Sequence, residues 1–358
     1  MNELETDDHL VLAATPLRLG FLGVGWIGRH RMKAILDTNL AQAVAIADPS
    51  AEMVREAQAL APGAEVVEGL DALLARDIDG IVIATPSARH AEQAIQALQA
   101  GVSVFCQKPL GRSATEVKNV IHAAKAADRL LHVDFSYRQT AGLARIRDII
   151  RSGELGQIFA ADLTFHNAYG PDKPWFYNKS LSGGGCVMDL GVHIVDMALW
   201  CLDFPAVTSV SSQLMAGGRP LDPGSGEVED YAVATVTLAN GTVLRLACSW
   251  RLQAGQDAVI EASFFGTNGG ASMRNVNGSF YDFRSERFYG TSREILAEPP
   301  DEWGGRAASA WAMHLARSKA YDPTCETILQ VTETIDGIYS AQQDLKSEST
   351  LTYRQEPL

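Results

Sequence analysis

This sequence contains few cysteines, and their spacing pairs none of them. Five cysteines occur in 358 residues, with no C-x-x-C pair and no spacing typical of metal ligands. Isolated cysteines in a chain of this length indicate reduced thiols, which predicts a cytoplasmic protein and no metal site. The first ten residues carry acids but no lysine or arginine, so we expect no secretory signal peptide and interpret residues 1–16 as a disordered tail.

Basic residues are also few. Thirty lysines and arginines against 43 acids give a formal net charge of -13, which argues against a nucleic-acid partner but allows a local basic pocket. No apolar run approaches the roughly 18 residues of a membrane span, so we expect no membrane partner. A hydrophobic content of 46% and a charged content of 20% are typical of globular proteins, and the length favours two domains.

The first third of the chain alternates strand-like and helix-like patterns. Strands are predicted at 17–22, 43–47, 64–67, 80–84, 102–106 and 131–134, and helices at 27–36, 51–60, 71–76, 89–100 and 114–128. The strands are continuous apolar runs, as expected when helices cover both faces of a sheet. The α/β pattern therefore predicts a Rossmann-type, doubly wound parallel sheet over residues 17–136.

The pattern changes after about residue 138. Strands with alternating polarity are predicted at 158–166, 208–213, 232–238, 242–250 and 259–265, and helices at 144–151, 186–201 and 324–344. Asn240-Gly241 indicates a hairpin between two of these strands. Residues 137–358 are therefore expected to form an α+β domain with a mostly antiparallel, open sheet that binds substrate and mediates oligomerisation.

The first strand leads into a glycine-rich turn, Gly23-Val24-Gly25-Trp26-Ile27-Gly28. Such a motif alone also occurs in turns that bind nothing, but here it lies between a predicted strand and a predicted helix. Gly23 allows a tight turn, Gly25 allows the backbone to approach a pyrophosphate, and Gly28 allows close packing of helix on strand. The turn, including Trp26 and Ile27, therefore predicts a dinucleotide site at a helix N-terminus.

Asp48 ends the second predicted strand, twenty residues after Gly28. Its carboxylate is suited to accept hydrogen bonds from both hydroxyls of an adenosine ribose, and it would repel a 2′-phosphate. Pro49-Ser50-Ala51 supplies no arginine to offset that repulsion. The cofactor predicted is NAD(H), with NADP(H) less favoured; the alternative role for Asp48 is that of a turn residue before proline.

Two loops follow predicted strands at the edge where doubly wound sheets bind ligands. Thr85-Pro86-Ser87 follows the fourth strand and leads to His90, and Gln107-Lys108-Pro109 follows the fifth. We expect Thr85, Pro86, His90, Gln107 and Lys108 to contact the cofactor. Lys108 also suits a reacting group, although a solvated loop lysine fits the sequence equally well.

A second cluster, Ser182 to Asp196, contains three glycines followed by an apolar helix. Asp189 and His193 are four residues apart and are expected to meet on one face of that helix, as a reacting pair or as a structural one. Asp196 lies at the edge of that face and is interpreted as structural.

Taken together, the glycine turn, the Lys-Pro after the fifth strand and the Asp-x-Gly-x-His on a later helix resemble the Gfo/Idh/MocA oxidoreductases. That family includes inositol dehydrogenases and glucose–fructose oxidoreductase, and the resemblance covers nearly the whole chain. It implies that Lys108, Asp189 and His193 are the catalytic group and that the protein is a homodimer or homotetramer. The family usually has Glu before the Lys-Pro, whereas this chain has Gln107, which leaves Lys108 without a negative neighbour.

The expected reaction is hydride transfer between nicotinamide and a secondary alcohol of a sugar, inositol or related polyol. His193 would act as general base, Lys108 would stabilise charge on the reacting oxygen, and Asp189 would orient both. The aromatic segment 166–178 fits a carbohydrate pocket or an ordinary loop, and the substrate contacts expected in it are Asn167, Tyr169, Trp175 and Tyr177. Tyr137-Arg138 and Trp250-Arg251 are weaker candidates for the pocket wall.

Two other functions remain open from the sequence. The resemblance extends to NAD-dependent glycosidases, which oxidise and re-reduce the sugar within one turnover. A non-catalytic NAD-binding regulator is the third interpretation, although such a sensor has no use for a base beside the nicotinamide.

Overall fold

The computed structural model describes residues 15–222 and 224–348, and side chains to residue 342. Most of the tail expected at residues 1–16 lies outside this range. The first sheet has six parallel strands in the order β3-β2-β1-β4-β5-β6. Its strands are β1 Leu17–Leu22, β2 Ala41–Ala47, β3 Glu65–Val66, β4 Gly80–Ile83, β5 Ser103–Cys106 and β6 Leu131–Val133. The order places β1 and β4 side by side and confirms the doubly wound sheet.

Five helices connect these strands: α1 Trp26–Leu36, α2 Ala51–Leu60, α3 Leu70–Leu74, α4 His90–Gln99 and α5 Ala114–Ala127. The caps of α2 and α5 are serines, Ser50 and Ser113, whose side chains accept from backbone N–H groups. By contrast α1 begins at Gly25 with no side-chain cap. Its first N–H groups are therefore free for a ligand.

The second sheet has nine strands in the order β15-β14-β13-β12-β7-β11-β10-β8-β9. They are β7 Ile158–Asn167, β8 Val207–Ala216, β9 Arg219–Pro220, β10 Tyr231–Leu238, β11 Val243–Ser249, β12 Ala258–Gly266, β13 Gly270–Asn275, β14 Phe283–Tyr289 and β15 Ser292–Ala297. Only β7 and β11 pair in parallel; the other pairs are antiparallel. The hairpin expected at Asn240-Gly241 joins β10 to β11, with Gly241 at a φ of 86°.

The remaining helices are α6 Ala141–Arg151, α7 Lys179–Ser182, α8 Val192–Cys201, α9 Arg306–Arg317 and α10 Thr327–Glu348. A π-helical turn, Val187–Gly191, leads directly into α8, and short 3₁₀ turns occupy Ser87–Arg89, Ser136–Gln139, Pro174–Tyr177 and Pro323–Glu326. Helices α6, α8 and α10 cover one face of the second sheet and leave its other face open. Alternating burial along β10 and β11 follows from this one-sided packing.

The sequence analysis missed β9, β13, β14, β15, α7 and α9. Strands β14 and β15 lie at one edge of the sheet, where few side chains are buried and the alternation of polarity is weak. Helix α9 packs on the first sheet instead of the second. The indole of Trp311 is fully buried there, 5.7 Å from the ring of Phe105, and a Cβ on Gly80 would come within 2.8 Å of it.

One stretch, Lys179–Cys201, is long and apolar enough to cross a membrane by composition, contrary to the expectation that no such run exists. However, 89% of its most apolar window is buried inside the protein. The stretch is therefore part of the protein core, where α8 packs between α6, α10 and the second sheet.

Candidate active site

The glycine turn has the geometry that a pyrophosphate site requires. Gly23 has a φ of +83°, and a Cβ there would lie 2.6 Å from the carbonyl oxygen of Ala84. A Cβ on Gly28 would lie 2.2 Å from the carbonyl oxygen of Gly23, so the start of α1 packs tightly on β1. A Cβ on Gly25 would meet nothing within 4 Å, because Gly25 faces a cavity. The open glycine and the uncapped helix together form an anion-binding concavity.

Asp48 also borders this cavity. One carboxylate oxygen accepts from the backbone N–H of Val24 at 2.8 Å, and the other accepts from that of Ser50 at 2.8 Å. Asp48 thus fixes the glycine turn and also caps the turn before α2. Each oxygen keeps a second lone pair for a ribose hydroxyl, since a carboxylate has about four acceptor positions.

His90 joins the two loops at the ends of β4 and β5. Its Nδ1 lies 2.7 Å from the carbonyl oxygen of Pro109, after a cis Lys108-Pro109 bond, and its Nε2 lies 2.6 Å from that of Thr85. Burial lowers the pKa of His90, although both carbonyls favour its charged form. Both ring nitrogens are therefore engaged by backbone, and the side chain holds Thr85 and Lys108 in place.

Gln107 belongs to a buried polar network beside Lys108. Its Nε2 donates to Asp134 at 2.5 Å, and the same carboxylate accepts from Arg31 Nε at 2.5 Å and from Ser136 at 3.0 Å. Arg31 also donates to Ser136 at 3.1 Å. Asp134 and Arg31 had no signal in the sequence, because they lie 103 residues apart.

Lys108 and Asp189 form an ion pair at the reacting end of the cavity. The ammonium of Lys108 donates to Asp189 Oδ1 and to its backbone carbonyl, both at 2.8 Å. The other carboxylate oxygen of Asp189 accepts from the indole N–H of Trp250 at 3.1 Å. Both side chains of the ion pair stay partly exposed, at 19% and 17%, so a substrate can reach them.

His193 lines the same cavity but does not pair with Asp189. The expected contact is absent from the hydrogen bonds of the described residues, because the π-helical turn between them is wider than an α-helical turn and Asp189 is held by Lys108. The ring of His193 instead packs edge-on against Tyr137, with centroids 4.9 Å apart. Burial, with the nearby charges of Lys108 and Arg31, holds the pKa of His193 well below its usual value. The imidazole is therefore neutral near pH 7 and able to accept a proton.

A buried carboxylate missed by the sequence analysis holds the segment that leads into α8. Glu229 Oε1 accepts from the backbone N–H groups of Gly185 and Val187, both at 2.9 Å, and from the hydroxyl of Tyr339 at 2.8 Å. A Cβ on Gly185 would come 1.8 Å from the carbonyl oxygen of Glu229, and one on Gly184 would come 1.9 Å from the Tyr339 hydroxyl. These glycines thus allow protein atoms to approach closely, and both also line the cavity.

The aromatic segment reaches the cavity in part. Trp175 lines it and stacks on Phe176, with centroids 3.8 Å apart. Asn167, Tyr169 and Tyr177, which the sequence also placed at the substrate, are not among the residues that line it. They make local contacts instead: Asn167 accepts from the N–H of Tyr169, Tyr169 donates to Asp257, and Tyr177 donates to the Pro171 carbonyl.

The cavity has a volume of about 1870 Å³ and runs from the glycine turn to His193. Segments 280–282 and 300–306 also line it, and neither carried a motif in the sequence. Trp303 packs on Tyr137 there, with centroids 4.9 Å apart. Of the other candidates, Tyr137 lines the cavity, whereas Arg138 pairs with buried Asp196 away from it.

One cluster of polar side chains lies elsewhere. Ring nitrogens of His132 and His314 and a carboxylate oxygen of Asp322 come within 4.8 Å of one another. None of the three lines the cavity. The chemistry of the cavity therefore does not involve them.

Comparison with known families and proteins agrees with this geometry. Residues 17–135 match an oxidoreductase family with an NAD-binding Rossmann fold, and residues 143–272 match the Gfo/Idh/MocA C-terminal domain. Inositol 2-dehydrogenase of Rhizobium meliloti (strain 1021) is 31% identical over 265 residues, which cover 72% of this chain and 76% of that protein. D-glucoside 3-dehydrogenase of Escherichia coli (strain K12) is 28% identical over 286 residues, 73% of this chain and 78% of that protein.

Solved structures share the fold. Levoglucosan dehydrogenase in complex with NADH and levoglucosan superposes with a TM-score of 0.78 at 22% identity, over 92% of this chain and 98% of that one. GenD2 from gentamicin A biosynthesis, in complex with NAD, superposes with a TM-score of 0.77 at 23% identity, over 92% and 95%.

Proposed function

Because the chain belongs to the Gfo/Idh/MocA family of oxidoreductases, we propose that its cavity binds NAD(H) beside a sugar, an inositol or a related polyol. The reaction is hydride transfer between nicotinamide and a secondary alcohol or its ketone. The observation that carries this proposal is that Lys108, Asp189 and His193 line one cavity with the glycine turn. A cofactor and a reacting alcohol thus fit side by side.

The residues around the glycine turn suit a dinucleotide. The N–H groups at the start of α1 would hold the pyrophosphate, since Gly25 leaves space above them. Asp48 would accept from the adenosine ribose. When bound, NAD⁺ supplies the acceptor for the hydride at C4 of its nicotinamide. Thr85, Pro86, Gln107 and Lys108 line the same cavity and would contact the cofactor, while His90 holds their loops.

NAD(H) is favoured over NADP(H) by the charges near Asp48. A 2′-phosphate there would meet the carboxylate. Arg29 of α1 lies on the cavity wall but is already engaged: it donates to the carbonyl of Val24 at 2.9 Å and pairs with Glu56. We expect NADH to bind more tightly than NADPH in a fluorescence titration, and equal affinities would contradict the preference.

Three side chains have separate roles in the reaction. His193, kept neutral by its surroundings, takes the hydroxyl proton as the hydride leaves the carbon. The Lys108 ammonium donates to the same oxygen and stabilises the negative charge that develops on it. Asp189 holds Lys108 in position and is itself held by Trp250.

The substrate side is polar and aromatic. Trp175 presents an aromatic ring, and Asp172 and Lys173 supply charged groups at the same wall. Aromatic faces pack on the C–H groups of a sugar, while charged groups bind its hydroxyls. We therefore expect Trp175, of the four residues predicted in the aromatic segment, to contact the substrate.

The test is a panel of sugars, inositols and their keto forms, with NAD⁺ or NADH, followed by NADH absorbance. Sustained NADH formation from a polyol supports the dehydrogenase. Release of an aglycone without net NADH would instead identify a glycosidase. NADH binding without turnover of any compound would indicate a regulator.

The open face of the second sheet supports a further part of the proposal, a homodimer or homotetramer. Val243 and Phe265 are exposed on this face and flank Ala160 on neighbouring strands.

All five cysteines are free and buried, which supports a cytoplasmic setting.

A further inference from the structure

Gln107 stands where the family usually has Glu, and its surroundings explain the difference. The side chain is 7% exposed, and its Nε2 lies 2.5 Å from Asp134 Oδ2. Asp134 is 1% exposed and is paired with Arg31, which is 6% exposed. A negative charge is thus present beside residue 107 in this chain, and Asp134 supplies it.

The chemistry of a carboxylate fixes the orientation of the Gln107 amide. An ionised carboxylate only accepts hydrogen bonds, so Gln107 must direct its Nε2 to Asp134. The amide oxygen, Oε1, then points away from the network. It accepts no hydrogen bond from the described residues and is not among their fully buried unpaired atoms, while Gln107 lines the cavity.

We propose that the Arg31–Asp134 ion pair is a positioning unit. Its carboxylate requires a hydrogen-bond donor, here an amide, at residue 107, and so directs the Oε1 of Gln107 to a donor group of the bound cofactor. Arg31 holds the carboxylate from α1, and Ser136 holds it from the turn after β6. This inference rests on the proposed function only in that the cavity binds NAD(H). The pairing of Gln107 with Asp134 itself requires no ligand.

The contacts of Gln107 predict the effect of replacing it with Glu, the residue usual in the family. Gln107→Glu places a second carboxyl group against Asp134, and only one of the two can ionise without strong repulsion. At low pH the introduced carboxyl group is protonated and donates as the glutamine does. As the pH rises, that proton is lost, and the two carboxylates repel each other.

Other titratable or charged groups face this site in every variant. Arg31 and the exposed His30 approach from α1, Cys106 from β5, and His193 from α8, with Lys108 next in the chain. Each variant is therefore compared with the wild type at every pH.

The experiment measures the melting temperature and the NADH Kd from about pH 5 to about pH 8.5. For Gln107→Glu we expect the melting temperature to fall below the wild type by roughly 5 °C or more at the alkaline end, with a smaller gap at the acid end. The NADH Kd should rise about tenfold over the same range. The double variant Gln107→Glu/Asp134→Asn exchanges acid and amide and should remove the pH dependence.

Two further variants make the test specific. Gln107→Leu removes the donor without adding charge, so its loss of stability should not depend on pH. Gln96→Glu is the matched control: Gln96 also donates to an aspartate, Asp71, but on the surface, where water screens the new charge. It should behave as the wild type.

A Gln107→Glu protein with wild-type stability and NADH affinity throughout would overturn the proposal, as would a double variant that keeps the pH dependence. If Gln107→Glu cannot be purified, a pH-dependent loss in Gln107→Leu would overturn it instead. Wild-type protein that fails to bind NADH would refute the proposed function, while the melting data would still test the network.

Discussion

At the scale of single residues, the charges at the reacting end of the cavity are set by how three side chains are placed: Lys108, Asp189 and His193. Lys108 and Asp189 neutralise each other at 2.8 Å, so the reacting end of the cavity gains little net charge from them. His193 faces the positive side of this arrangement, with Lys108 and Arg31 nearby. A neutral base beside a fixed ammonium is the combination that abstraction of an alcohol proton requires.

Removal of either reacting group should lower turnover strongly while NADH still binds. We expect Lys108→Met and His193→Gln each to lower kcat by about 10² to 10⁴-fold, the usual contribution of such groups. The NADH Kd should stay within roughly threefold of the wild type for His193→Gln, because the glycine turn and Asp48 are unchanged. Steady-state rates and a fluorescence titration measure both.

The matched controls lie on α5. Lys118→Met and His122→Gln make the same changes on exposed side chains outside the cavity. Their rates should equal the wild type. Near-normal turnover of Lys108→Met or His193→Gln would end the catalytic assignment.

The pH dependence follows from the state of His193. Its pKa is lowered by burial and by neighbouring positive charge, so the base form persists below the ordinary value of 6.5. We expect kcat/KM for alcohol oxidation to stay level as the pH falls to 6.5 and to decline only below it. An acid limb centred above 6.5 that vanishes in His193→Gln would show that the imidazole is not depressed.

At the scale of elements, the segment that leads into α8 depends on a cap distant in sequence. The backbone N–H groups of Gly185 and Val187 donate to Glu229, which is 1% exposed. Burial raises the pKa of Glu229, although the hydrogen bonds from Tyr339, Val187 and Gly185 oppose this. The position of Asp189 thus depends on a carboxylate in the loop just before β10.

Loss of this cap should destabilise the protein. Glu229→Ala leaves two backbone N–H groups and the Tyr339 hydroxyl buried without an acceptor. We expect the free energy of unfolding to fall by about 3 kcal/mol or more. Urea denaturation measures it, with Glu227→Ala, an exposed glutamate two residues earlier, as control. Equal effects of the two substitutions would show that the cap contributes nothing.

At the scale of the whole molecule, the cavity lies between the two sheets. The first sheet supplies the glycine turn and Lys108, and the helix packed on the second sheet supplies Asp189 and His193. Helix α9 returns from the second half of the chain to the core of the first sheet, with Trp311 fully buried. The division at residues 136 and 137 that the sequence suggested stays a prediction.

The open face of the second sheet gives a prediction about assembly. Phe265→Arg places a charge beside Ala160 and Val243 on this face, and should reduce the mass measured by light scattering if the face joins subunits. Leu60→Arg makes a similar change on exposed α2 and should leave the mass unaltered. An unchanged oligomer in Phe265→Arg would place the interface elsewhere.

Much of the fold follows from local patterns. Apolar runs such as 17–22 and 80–83 predict buried parallel strands, and the glycine turn predicts its own backbone geometry. The weak pattern of β15, exposed at the sheet edge, gave no such signal. Side chains at the ends of strands were found for the same local reason, since Lys108 follows β5 directly.

The sequence by itself determined the parallel sheet, the glycine turn and the residue types near the reaction, because each depends on short-range periodicity or on one special residue. Only the tertiary structure decided the partners of the charges. Asp189 pairs with Lys108 across 81 residues rather than with His193 across four, and Asp134 pairs with Arg31 across 103. Such pairs depend on how distant elements pack, and no spacing within one element encodes that packing.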